Sequence, residues 1–439
     1  MDLFIPSSKK LTAIFSPESD LNIPGDKSLS HRTALFSALA SGESRITNFL
    51  DSGVTQVMLN SLSSLGVQWK FVDNILTVRG KGLYGFQTPV NSLYCGHSAT
   101  TIRLMAGALA ASGIAVTLDG SEGLRKRPMD RIVEPLRQLG VKISTAEQGT
   151  APLVIQVRPA GQKLKGGLIE LKQASAQVKT CILLAGLAAE ETITIHEPGP
   201  SRDHTERLLK AMGADLQAEG LQVRLNPLEK DLLPLKMRLP GDISSAAFLI
   251  VAALITPNSE IIIEEVGLNP RRTGLLDVLQ TMGADMQVTV TGENGGEPVG
   301  SVKVCSSELQ GCMVEGDLVV RMIDEFPVFA VAAAFAKGET VVRDAQELRY
   351  KESDRIQVLC SELQKIGVDI TEMEDGFVIQ GSEYISGGTA ESKGDHRLAM
   401  SLAVAGLASQ NGVNIRGADM VSQSFPAFFE MLNRMGVEI

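Results

Sequence analysis

The chain repeats one short pattern six times. In each copy a helical stretch ends in Leu, Met or Ile, then Gly and Val or Ala follow, and a strand comes next. The copies lie at residues 65–67, 139–141, 212–214, 282–284, 366–368 and 435–437. Their glycines are 74, 73, 70, 84 and 69 residues apart, so six units of similar length account for the 439 residues. Glycine at this place predicts a left-handed helix C-cap in every unit.

Each unit also repeats the same internal order of elements. An Ala-rich apolar helix opens the unit, a short strand, an amphipathic helix and two strands follow, and a connecting strand leads to the next unit. The Ala-rich stretches are residues 25–40, 96–111, 175–189, 241–255, 324–336 and 394–408. Because they are apolar on nearly every side, we expect these helices to be buried. The pattern predicts an α/β protein made of six similar units.

The two halves of the chain begin alike. Residues 24–28 read Pro-Gly-Asp-Lys-Ser, and residues 240–245 read Pro-Gly-Asp-Ile-Ser-Ser. Three units in each half predict two similar lobes, one formed by residues 22–240 and the other by residues 1–21 and 241–439. The N-terminal stretch is assigned to the second lobe because a chain that closes two lobes often crosses between them twice.

Composition excludes several classes of protein. The net charge is -10, with 41 basic and 51 acidic side chains, which argues against a general nucleic-acid binder or a membrane-surface protein. The longest apolar run, residues 246–255, is too short to span a bilayer, and residues 1–10 lack the apolar region of a signal peptide. Five cysteines without a CxxC pair and five scattered histidines predict reduced thiols and no metal site. We therefore expect a soluble cytoplasmic protein.

Two nucleotide-binding motifs are excluded by their surroundings. Residues 80–85 spell GxGxxG after a predicted strand, but Pro89 follows and no helix starts there. Residues 25–28 resemble the end of a phosphate-binding P-loop, but Asp26 occupies the position that requires glycine.

The starts of the six Ala-rich helices carry many polar and charged side chains. Helix N-termini present unpaired N–H groups and about half a positive charge, so several of them around one cleft would bind anions. The side chains are Lys27, Ser28, Arg32, His97, Ser98, Thr100, Ser175, Gln177, Ser244, Ser245, Asp324, Asp395, His396 and Arg397. N-capping is the alternative, and it accounts for Ser244, Ser245 and Asp395. It does not account for Lys27, Arg32 or Arg397, because a cation there is unfavourable without an anion.

Two loops are dense in charge, residues 125–128 and residues 349–355, and each precedes a predicted helix. A solvated surface explains such a run as well as an anion site does, so both interpretations stay open.

Four stretches resemble the family of 5-enolpyruvylshikimate-3-phosphate synthases: residues 24–32 (PGDKSLSHR), 95–103 (CGHSATTIR), 351–355 (KESDR) and 395–397 (DHR). The resemblance implies two lobes of three βαβαββ units each, an inside-out α/β barrel, with the active site in the cleft between the lobes. It implies transfer of the enolpyruvyl group of phosphoenolpyruvate to the 5-hydroxyl of shikimate 3-phosphate, with release of phosphate by addition and elimination. This reaction belongs to the shikimate pathway of chorismate and aromatic amino-acid biosynthesis. The partners implied are small anionic substrates, with no metal or organic cofactor, no nucleic acid and no membrane, and we expect a monomer.

The same resemblance assigns side chains to each substrate. Shikimate 3-phosphate would be bound by Lys27, Ser28, Arg32, Ser175, Gln177, Ser201, Arg202, Asp324 and Lys351. Phosphoenolpyruvate would be bound by Lys27, Ala99, Arg127, Gln177, Arg355 and Arg397. Asp324 and Glu352 would serve as acid and base, with Lys27 beside the departing phosphate. An acid role for Glu352 requires burial, because cations nearby lower the pKa of a carboxyl group. Seven cations and two carboxylates would then share one cleft.

Two positions depart from many members of the family. Ala99 stands where Gly is frequent, and Gln423 stands where Lys is frequent. The methyl group of Ala99 is similar to the glyphosate-tolerant class, and we expect it to crowd the herbicide, which is longer than phosphoenolpyruvate. Gln423 removes one cation that the resemblance would place at the phosphoenolpyruvate site.

Two other functions would also use a site for small anions. An enolpyruvyl transferase acting on UDP-N-acetylglucosamine typically carries a reactive cysteine in the loop equivalent to residues 119–131. Here that loop has none, and Cys95 is interpreted as a packed thiol. A non-catalytic phosphoanion-binding protein would use the helix ends but would not require Asp324 and Glu352.

Overall fold

Every sequence repeat folds into helices and a small sheet in the computed structural model, which describes residues 1–19 and 21–439. Contacts divide the chain into two units. Unit A comprises Gly25–Leu239 and Asn294–Glu297, and unit B comprises Met1–Pro24, Pro240–Glu293 and Pro298–Ile439.

The first half of the chain contains two leading strands and the first three repeats. Its elements are β1 (Asp2–Ile5), β2 (Thr12–Phe15), α1 (Lys27–Leu39), β3 (Ser41–Thr47), α2 (Gly53–Ser64), β4 (Gln68–Val72), β5 (Ile75–Lys81), β6 (Leu93–Tyr94), α3 (Ala99–Ser112), β7 (Val116–Asp119), α4 (Glu122–Arg125), α5 (Asp130–Gln138), β8 (Ile143–Ser144), β9 (Leu153–Ile155), β10 (Gly167–Glu170), α6 (Ala176–Gly186), β11 (Ile193–His196), α7 (His204–Ala211), β12 (Leu216–Glu219), β13 (Gln222–Leu225) and β14 (Lys236–Arg238).

The second half contains the other three repeats. Its elements are α8 (Ile243–Ile255), β15 (Glu260–Gly267), α9 (Gly274–Thr281), β16 (Met286–Asn294), β17 (Glu297–Cys305), β18 (Met313–Val314), α10 (Asp317–Arg321), α11 (Phe326–Ala334), β19 (Glu339–Val342), α12 (Arg355–Lys365), β20 (Asp369–Glu372), β21 (Phe377–Gln380), β22 (Gly388–Glu391), α13 (His396–Ala408), β23 (Val413–Arg416) and α14 (Phe428–Arg434). Short 3-10 turns lie at Glu147–Gly149, Gln346–Tyr350 and Ala418–Gln423.

The sheets of unit A share one strand pattern. Their strand orders are β14-β3-β5-β4, β6-β7-β9-β8 and β10-β11-β13-β12. In each sheet the first two strands are parallel and the remaining pairs are antiparallel. Helices α3 and α6 therefore cross between two parallel strands, which is the connection that such a pair requires. The sheet of the first repeat takes its parallel strand from β14, at the other end of the unit.

The sheets of unit B follow the same pattern until the sixth repeat. Their orders are β16-β17-β15-β2, β18-β19-β21-β20 and β1-β23-β22, with β2 parallel to β15. The sixth repeat differs from the predicted order, because no strand follows α14 in residues 435–439. Strand β1 instead pairs antiparallel with β23 and completes a three-stranded sheet.

The repeat glycines end the amphipathic helices α2, α5, α7, α9, α12 and α14, as the sequence predicts. Their φ angles are +81° (Gly66), +86° (Gly140), +89° (Gly213), +93° (Gly283), +91° (Gly367) and +105° (Gly436). A residue with a Cβ adopts this conformation only with strain, so the prediction of six glycine C-caps is confirmed.

The Ala-rich helices are buried, which confirms the second expectation from the repeat. In unit A, α3 packs directly on α6. A Cβ at Gly107 would lie 2.1 Å from the carbonyl oxygen of Cys181, so glycine is required for this close approach. The contact holds the starts of both helices near one another. The predicted α/β fold built from six repeats is confirmed, with the exception of the sixth sheet.

Candidate active site

The start of α1 in unit A carries Lys27 and Ser28 on its first turn. Asp26 caps the helix by accepting a hydrogen bond of 2.8 Å from the backbone N–H three residues later. Gly25 lies so close to Asn48 that a Cβ would be 1.8 Å from that carbonyl oxygen. The Pro-Gly-Asp-Lys-Ser sequence therefore fixes where the helix begins, and it places the two half-buried side chains beside unpaired N–H groups.

Arg32, one turn further along α1, is 3% exposed and is held on three sides. Nε donates to Thr205 Oγ1 at 2.9 Å, Nη2 donates to Thr180 Oγ1 at 3.0 Å, and Nη1 donates to the Ser28 carbonyl at 3.1 Å. Burial lowers the pKa of Arg32 to about 10, and the positive charge of Arg202 acts in the same direction. Two guanidinium groups thus lie close enough to repel, which suits a site for an anion.

Gln177 connects the start of α6 to the start of α3. Its amide nitrogen donates to Thr100 Oγ1 at 3.0 Å, and its amide oxygen accepts from Arg103 Nη1 at 2.7 Å. Ser175 caps α6, and Ala99, at the first position of α3, is 5% exposed. The structure therefore brings these three predicted residues to two adjacent helix starts, whereas sequence reasoning gave Arg103 no role.

The basic loop before α5 separates into three different environments. Arg125 is paired with Asp119, to which its Nε donates at 2.9 Å. Lys126 is exposed, and Arg127 is half-buried. The backbone that follows is fixed because Arg103 Nη2 donates to the carbonyl of Pro128 at 3.1 Å. Arg125 is therefore occupied in an ion pair of the loop itself.

Ser201 lies in the segment before α7 and is 2% exposed. Its hydroxyl donates to Glu197, and Glu197 in turn lies 2.7 Å from the ammonium of Lys179. Sequence reasoning missed both of these charged residues. A signal was present, because Lys179 is the one charged residue of the mostly apolar helix α6 and a buried lysine requires a partner.

Asp324 in unit B has three cations near its side chain. Its carboxylate oxygens lie 3.8 Å from Lys351 Nζ, 3.6 Å from Arg355 Nη1 and 4.0 Å from Arg397 Nη2. Arg397 also donates to the backbone carbonyl of Asp324 at 3.0 Å. The structure thus gathers four of the predicted residues just before α11, although the sequence separates them by up to 73 positions.

Arg355, at the start of α12, is 3% exposed and, besides its ion pair with Asp324, donates hydrogen bonds to two carboxylates. Nε donates to Asp395 Oδ2 at 2.7 Å, and Nη2 donates to Glu352 Oε2 at 2.6 Å. Burial by itself would lower the pKa of Arg355, but Asp395 and the other carboxylates outweigh it and raise that pKa. Among the described residues, Nη1 has no hydrogen-bond acceptor, so this buried nitrogen retains a donor for a ligand.

Lys351 and Glu352 are similarly buried, with 24% and 29% of their side chains exposed, but they have different charged neighbours. Burial lowers the pKa of Lys351, and the negative charge of Asp324 opposes that effect. Glu352 has 29% of its side chain exposed and accepts from Arg355. The burial that an acid role for Glu352 requires is therefore not found.

The N-caps correct part of the prediction. Asp395 caps α13, as expected, by accepting from the backbone N–H of Arg397 at 2.9 Å. Ser244 and Ser245 do not cap α8, because Asp242 accepts the hydrogen bond there. The hydroxyl of Ser244 instead donates to Glu325, and Asp242 accepts from the backbone N–H at the start of α8.

Asp354 and Arg349 have roles inside the second basic loop. Asp354 caps α12 by accepting from the backbone N–H of Gln357 at 3.1 Å. Arg349 donates to the carboxylate of Asp354 and to the carbonyls of residues 373 and 374. These two residues hold the loop, while Lys351 and Arg355 meet Asp324.

Additional carboxylates change the local charge expected from the sequence. Asp395 and Glu325 lie beside the arginines of unit B, and Glu206 acts on Arg32 in unit A. A buried guanidinium requires a counter-charge, which explains why Arg32, Arg355 and Arg397 have more carboxylates near them than the sequence predicted. Among the described residues, no three His, Cys, Asp or Glu side chains gather as a metal site would require.

Gln423 lies in the 3-10 turn Ala418–Gln423. Its amide nitrogen is 3.9 Å from the sulfur of Met420.

In the described parts of the chain, no helix is both long enough and apolar enough to cross a membrane.

Comparison with known proteins identifies the family of this chain. A sequence model of the family EPSP synthase (3-phosphoshikimate 1-carboxyvinyltransferase) matches residues 13–432. A 3-phosphoshikimate 1-carboxyvinyltransferase from Syntrophomonas wolfei is 45% identical over 430 residues, covering 97% of this chain and 99% of that protein. One from Carboxydothermus hydrogenoformans is 46% identical over 429 residues, with coverage of 97% and 99%.

A solved structure gives the same result. EPSP synthase from Acinetobacter baumannii superposes with a TM-score of 0.87 at 41% identity, covering 99% of this chain and 98% of that chain. Both the sequence match and the structural match extend over nearly the whole length. The resemblance predicted from the four short stretches is confirmed, and the chain belongs to the EPSP synthase (3-phosphoshikimate 1-carboxyvinyltransferase) family.

Proposed function

We propose that this transferase moves the enolpyruvyl group of phosphoenolpyruvate to the 5-hydroxyl of shikimate 3-phosphate and releases phosphate. The observation that carries the proposal is Asp324, a carboxylate within 4.0 Å of three cations. Such a group can exchange a proton while the cations hold anionic substrates, which a simple anion-binding protein would not need.

Shikimate 3-phosphate is assigned to unit A through its phosphate. Arg32 and Arg202 supply neighbouring positive charges, and the starts of α1 and α6 supply N–H groups. The side chains proposed to contact this substrate in unit A are Lys27, Ser28, Arg32, Ser175, Gln177, Ser201 and Arg202. Asp324 and Lys351 are proposed to contact its hydroxyl groups.

Phosphoenolpyruvate is assigned chiefly to two buried arginines of unit B, Arg355 and Arg397. Arg355 Nη1 is buried without a hydrogen-bond acceptor, which supports a role in binding the carboxylate or phosphate of this substrate. Arg397, 4% exposed, is proposed to act with it. Lys27, Arg127, Gln177 and the backbone at Ala99 complete the proposed set.

The addition step joins the 5-hydroxyl oxygen to the second carbon of the enolpyruvyl group. Asp324 is proposed to take the hydroxyl proton, and a proton is delivered to the methylene carbon. Lys351 suits that delivery, because burial lowers its pKa and makes its ammonium a stronger acid. The product of this step carries the phosphate and a methyl group on one carbon.

The elimination step breaks the carbon–oxygen bond to phosphate and restores the double bond. One methyl proton leaves, and Glu352 is proposed to take it. The hydrogen bond from Arg355 favours the ionised carboxylate, so Glu352 suits the role of base better than that of acid. Lys27 is proposed to neutralise the departing phosphate.

The alternative acceptor, UDP-N-acetylglucosamine, is disfavoured by the thiols. Burial raises the pKa of Cys95 to about 12, so this thiol is not a reactive nucleophile near neutral pH. The loop at residues 119–131 contains no cysteine.

A phosphate-release assay tests the proposal. Phosphate should appear when phosphoenolpyruvate is mixed with shikimate 3-phosphate and should not appear with the UDP-sugar; the reverse result would overturn the assignment. Asp324→Asn should lower kcat by about 100-fold or more, the scale of a lost general acid or base. Asp277→Asn, which removes a half-exposed partner of Arg321, is the matched control and should leave kcat unchanged.

We also propose a cytoplasmic monomer. All five cysteines are free, which is typical of a reducing compartment. Every residue assigned to the substrates comes from one chain, so the proposal requires no second copy. The proposed partners are small anions, with neither nucleic acid nor membrane.

A further inference from the structure

A buried group of ions adjoins the residues assigned to shikimate 3-phosphate in unit A. The ammonium of Lys179 lies 2.7 Å from Glu197 and 2.6 Å from Glu206. The three side chains, named here the Lys179 triad, are between 1% and 4% exposed. They join α6, the segment after β11, and α7. None of them reaches solvent to any useful extent, so the triad is not itself a place where substrate binds.

One link leads from the triad to Ser201. The Ser201 hydroxyl donates to Oε1 of Glu197, while Oε2 of the same carboxylate is held by Lys179. Because Lys179 holds Oε2, the Glu197 carboxylate presents its other oxygen, Oε1, to Ser201. The triad therefore determines where Ser201 lies.

A second link leads to Arg32. Thr180 and Thr205 are the sequence neighbours of Lys179 and Glu206, and their hydroxyl oxygens are 2.6 Å apart. Both hydroxyls accept hydrogen bonds from the Arg32 guanidinium. The ion pair between Lys179 on α6 and Glu206 on α7 thus holds the two threonine hydroxyls next to each other, where both contact Arg32. Glu206 also supplies the largest opposing charge to this buried cation.

We propose that Lys179 is a positioning residue for shikimate 3-phosphate: its triad fixes Arg32 and, through the Ser201 hydroxyl, the backbone of the segment before α7 in the geometry that binds the phosphate. The inference rests on the proposed function, because it concerns the substrate assigned to these two residues. A purely structural triad is the competing explanation. It predicts that loss of the triad lowers stability without changing affinity in the molecules that still fold.

Two variants separate these explanations. Lys179→Met alone would leave two buried carboxylates without a counter-charge, and such a change is strongly destabilising. The triple variant Lys179→Met, Glu197→Gln and Glu206→Gln removes all three charges at similar volume, which buried ion groups often tolerate. Lys179→Arg keeps the charge but not both short ammonium contacts. Glu362→Gln removes a buried carboxylate, 1% exposed, on α12 of unit B and serves as the control.

Calorimetric titration of each full-length variant with shikimate 3-phosphate gives the decisive measurement, with thermal melting to identify folded protein. We expect the dissociation constant of the triple variant to rise about tenfold or more, the scale of a lost charge-assisted hydrogen bond. Lys179→Arg should give a smaller rise, and Glu362→Gln should give none. KM for phosphoenolpyruvate at saturating shikimate 3-phosphate should change less than the affinity for shikimate 3-phosphate.

A wild-type dissociation constant in either folded triad variant would overturn the proposal, and Lys179→Arg decides the question if the triple variant does not fold. Equal rises in the control and the triad variants would also overturn it. Failure of the unaltered enzyme to bind shikimate 3-phosphate or release phosphate would refute the proposed function instead, so the two failures are distinguishable.

Discussion

Arg355 and Asp395 form a buried ion pair in which Nε donates to Oδ2 at 2.7 Å. The same carboxylate caps α13 through the backbone N–H of Arg397. One aspartate therefore neutralises a cation assigned to phosphoenolpyruvate and fixes the helix that carries the next one. This double role makes the pair a sensitive place to test the site.

Asp395→Asn should destabilise unit B and weaken phosphoenolpyruvate binding. The amide can still cap α13, but Arg355 loses its buried counter-charge, and breaking a buried pair costs about 3–5 kcal/mol. Urea unfolding measures the loss, and KM for phosphoenolpyruvate measures the effect on the site. Asp354 also caps a helix, α12, but its ion pair with Arg349 is more exposed. Asp354→Asn should therefore lower the free energy of unfolding by only about 1 kcal/mol.

The same pair predicts how stability changes in acid. Burial would raise the pKa of Asp395, but Arg355 outweighs burial and lowers it. A carboxyl group with a folded-state pKa below its unfolded value stabilises fully above about pH 4 and loses that contribution as the pH falls further. Asp395→Asn should therefore show a shallower loss of stability below about pH 4 than the parent protein. Parallel curves would contradict the assignment.

His31 should remain neutral at pH 7 and should weaken the fold as it gains a proton. Burial lowers its pKa to about 4, and Nδ1 donates to the carbonyl of Lys27 at 2.8 Å. Because the unfolded chain binds this proton near pH 6.5, stability should fall by about 3 kcal/mol between pH 6.5 and pH 4. Nuclear magnetic resonance of the imidazole checks the protonation, and a titration of His31 near pH 6.5 in folded protein would refute the prediction.

Arg127→Ala and Arg125→Ala should have different effects on catalysis. Arg125 is paired with Asp119 and is half-exposed, so its loss should leave kinetics near the parent values. Arg127 is proposed to bind phosphoenolpyruvate, and its loss should raise KM for that substrate about tenfold, the scale of a lost charged hydrogen bond. Steady-state kinetics with each substrate varied gives the answer. A larger effect from Arg125→Ala would reverse the assignment.

Ala99→Gly should increase inhibition by glyphosate. Ala99 is the first residue of α3 and is 5% exposed, and removal of its methyl group enlarges the space beside the helix start. The concentration of glyphosate that halves activity should fall, while KM for phosphoenolpyruvate should change less. Unchanged inhibition would show that the methyl group does not crowd the herbicide.

Thiol reagents should leave the folded enzyme active. Burial raises the pKa of Cys95 and Cys360 to about 12 and that of Cys312 to about 11, and it also raises the pKa of Cys181 and Cys305. Thiolate, the reactive form, is therefore scarce near pH 7.5. Iodoacetamide should modify the denatured chain at all five cysteines but the folded chain slowly. Rapid inactivation of the folded enzyme would contradict this prediction and would favour the alternative function, an enolpyruvyl transferase with a reactive cysteine that acts on UDP-N-acetylglucosamine.

The sequence by itself determines the repeat, the six glycine C-caps, the buried helices and the family. These properties depend on residues a few positions apart, such as the glycine after α2 or the Asp395 cap of α13, and local physics decides them. The sixth sheet was not predictable in this way, because its partner β1 comes from the opposite end of the chain.

Only the tertiary structure decides how the charged residues are used. Arg125 forms an ion pair with Asp119, and Lys179 forms ion pairs with two glutamates. Arg355 forms ion pairs with both Asp395 and Glu352. The free energy of a charge depends on burial and on every charge within a few ångströms, and both are set by residues distant in sequence. A list of cations could therefore indicate an anion site, but which cation retains a donor for substrate follows only from the packed fold.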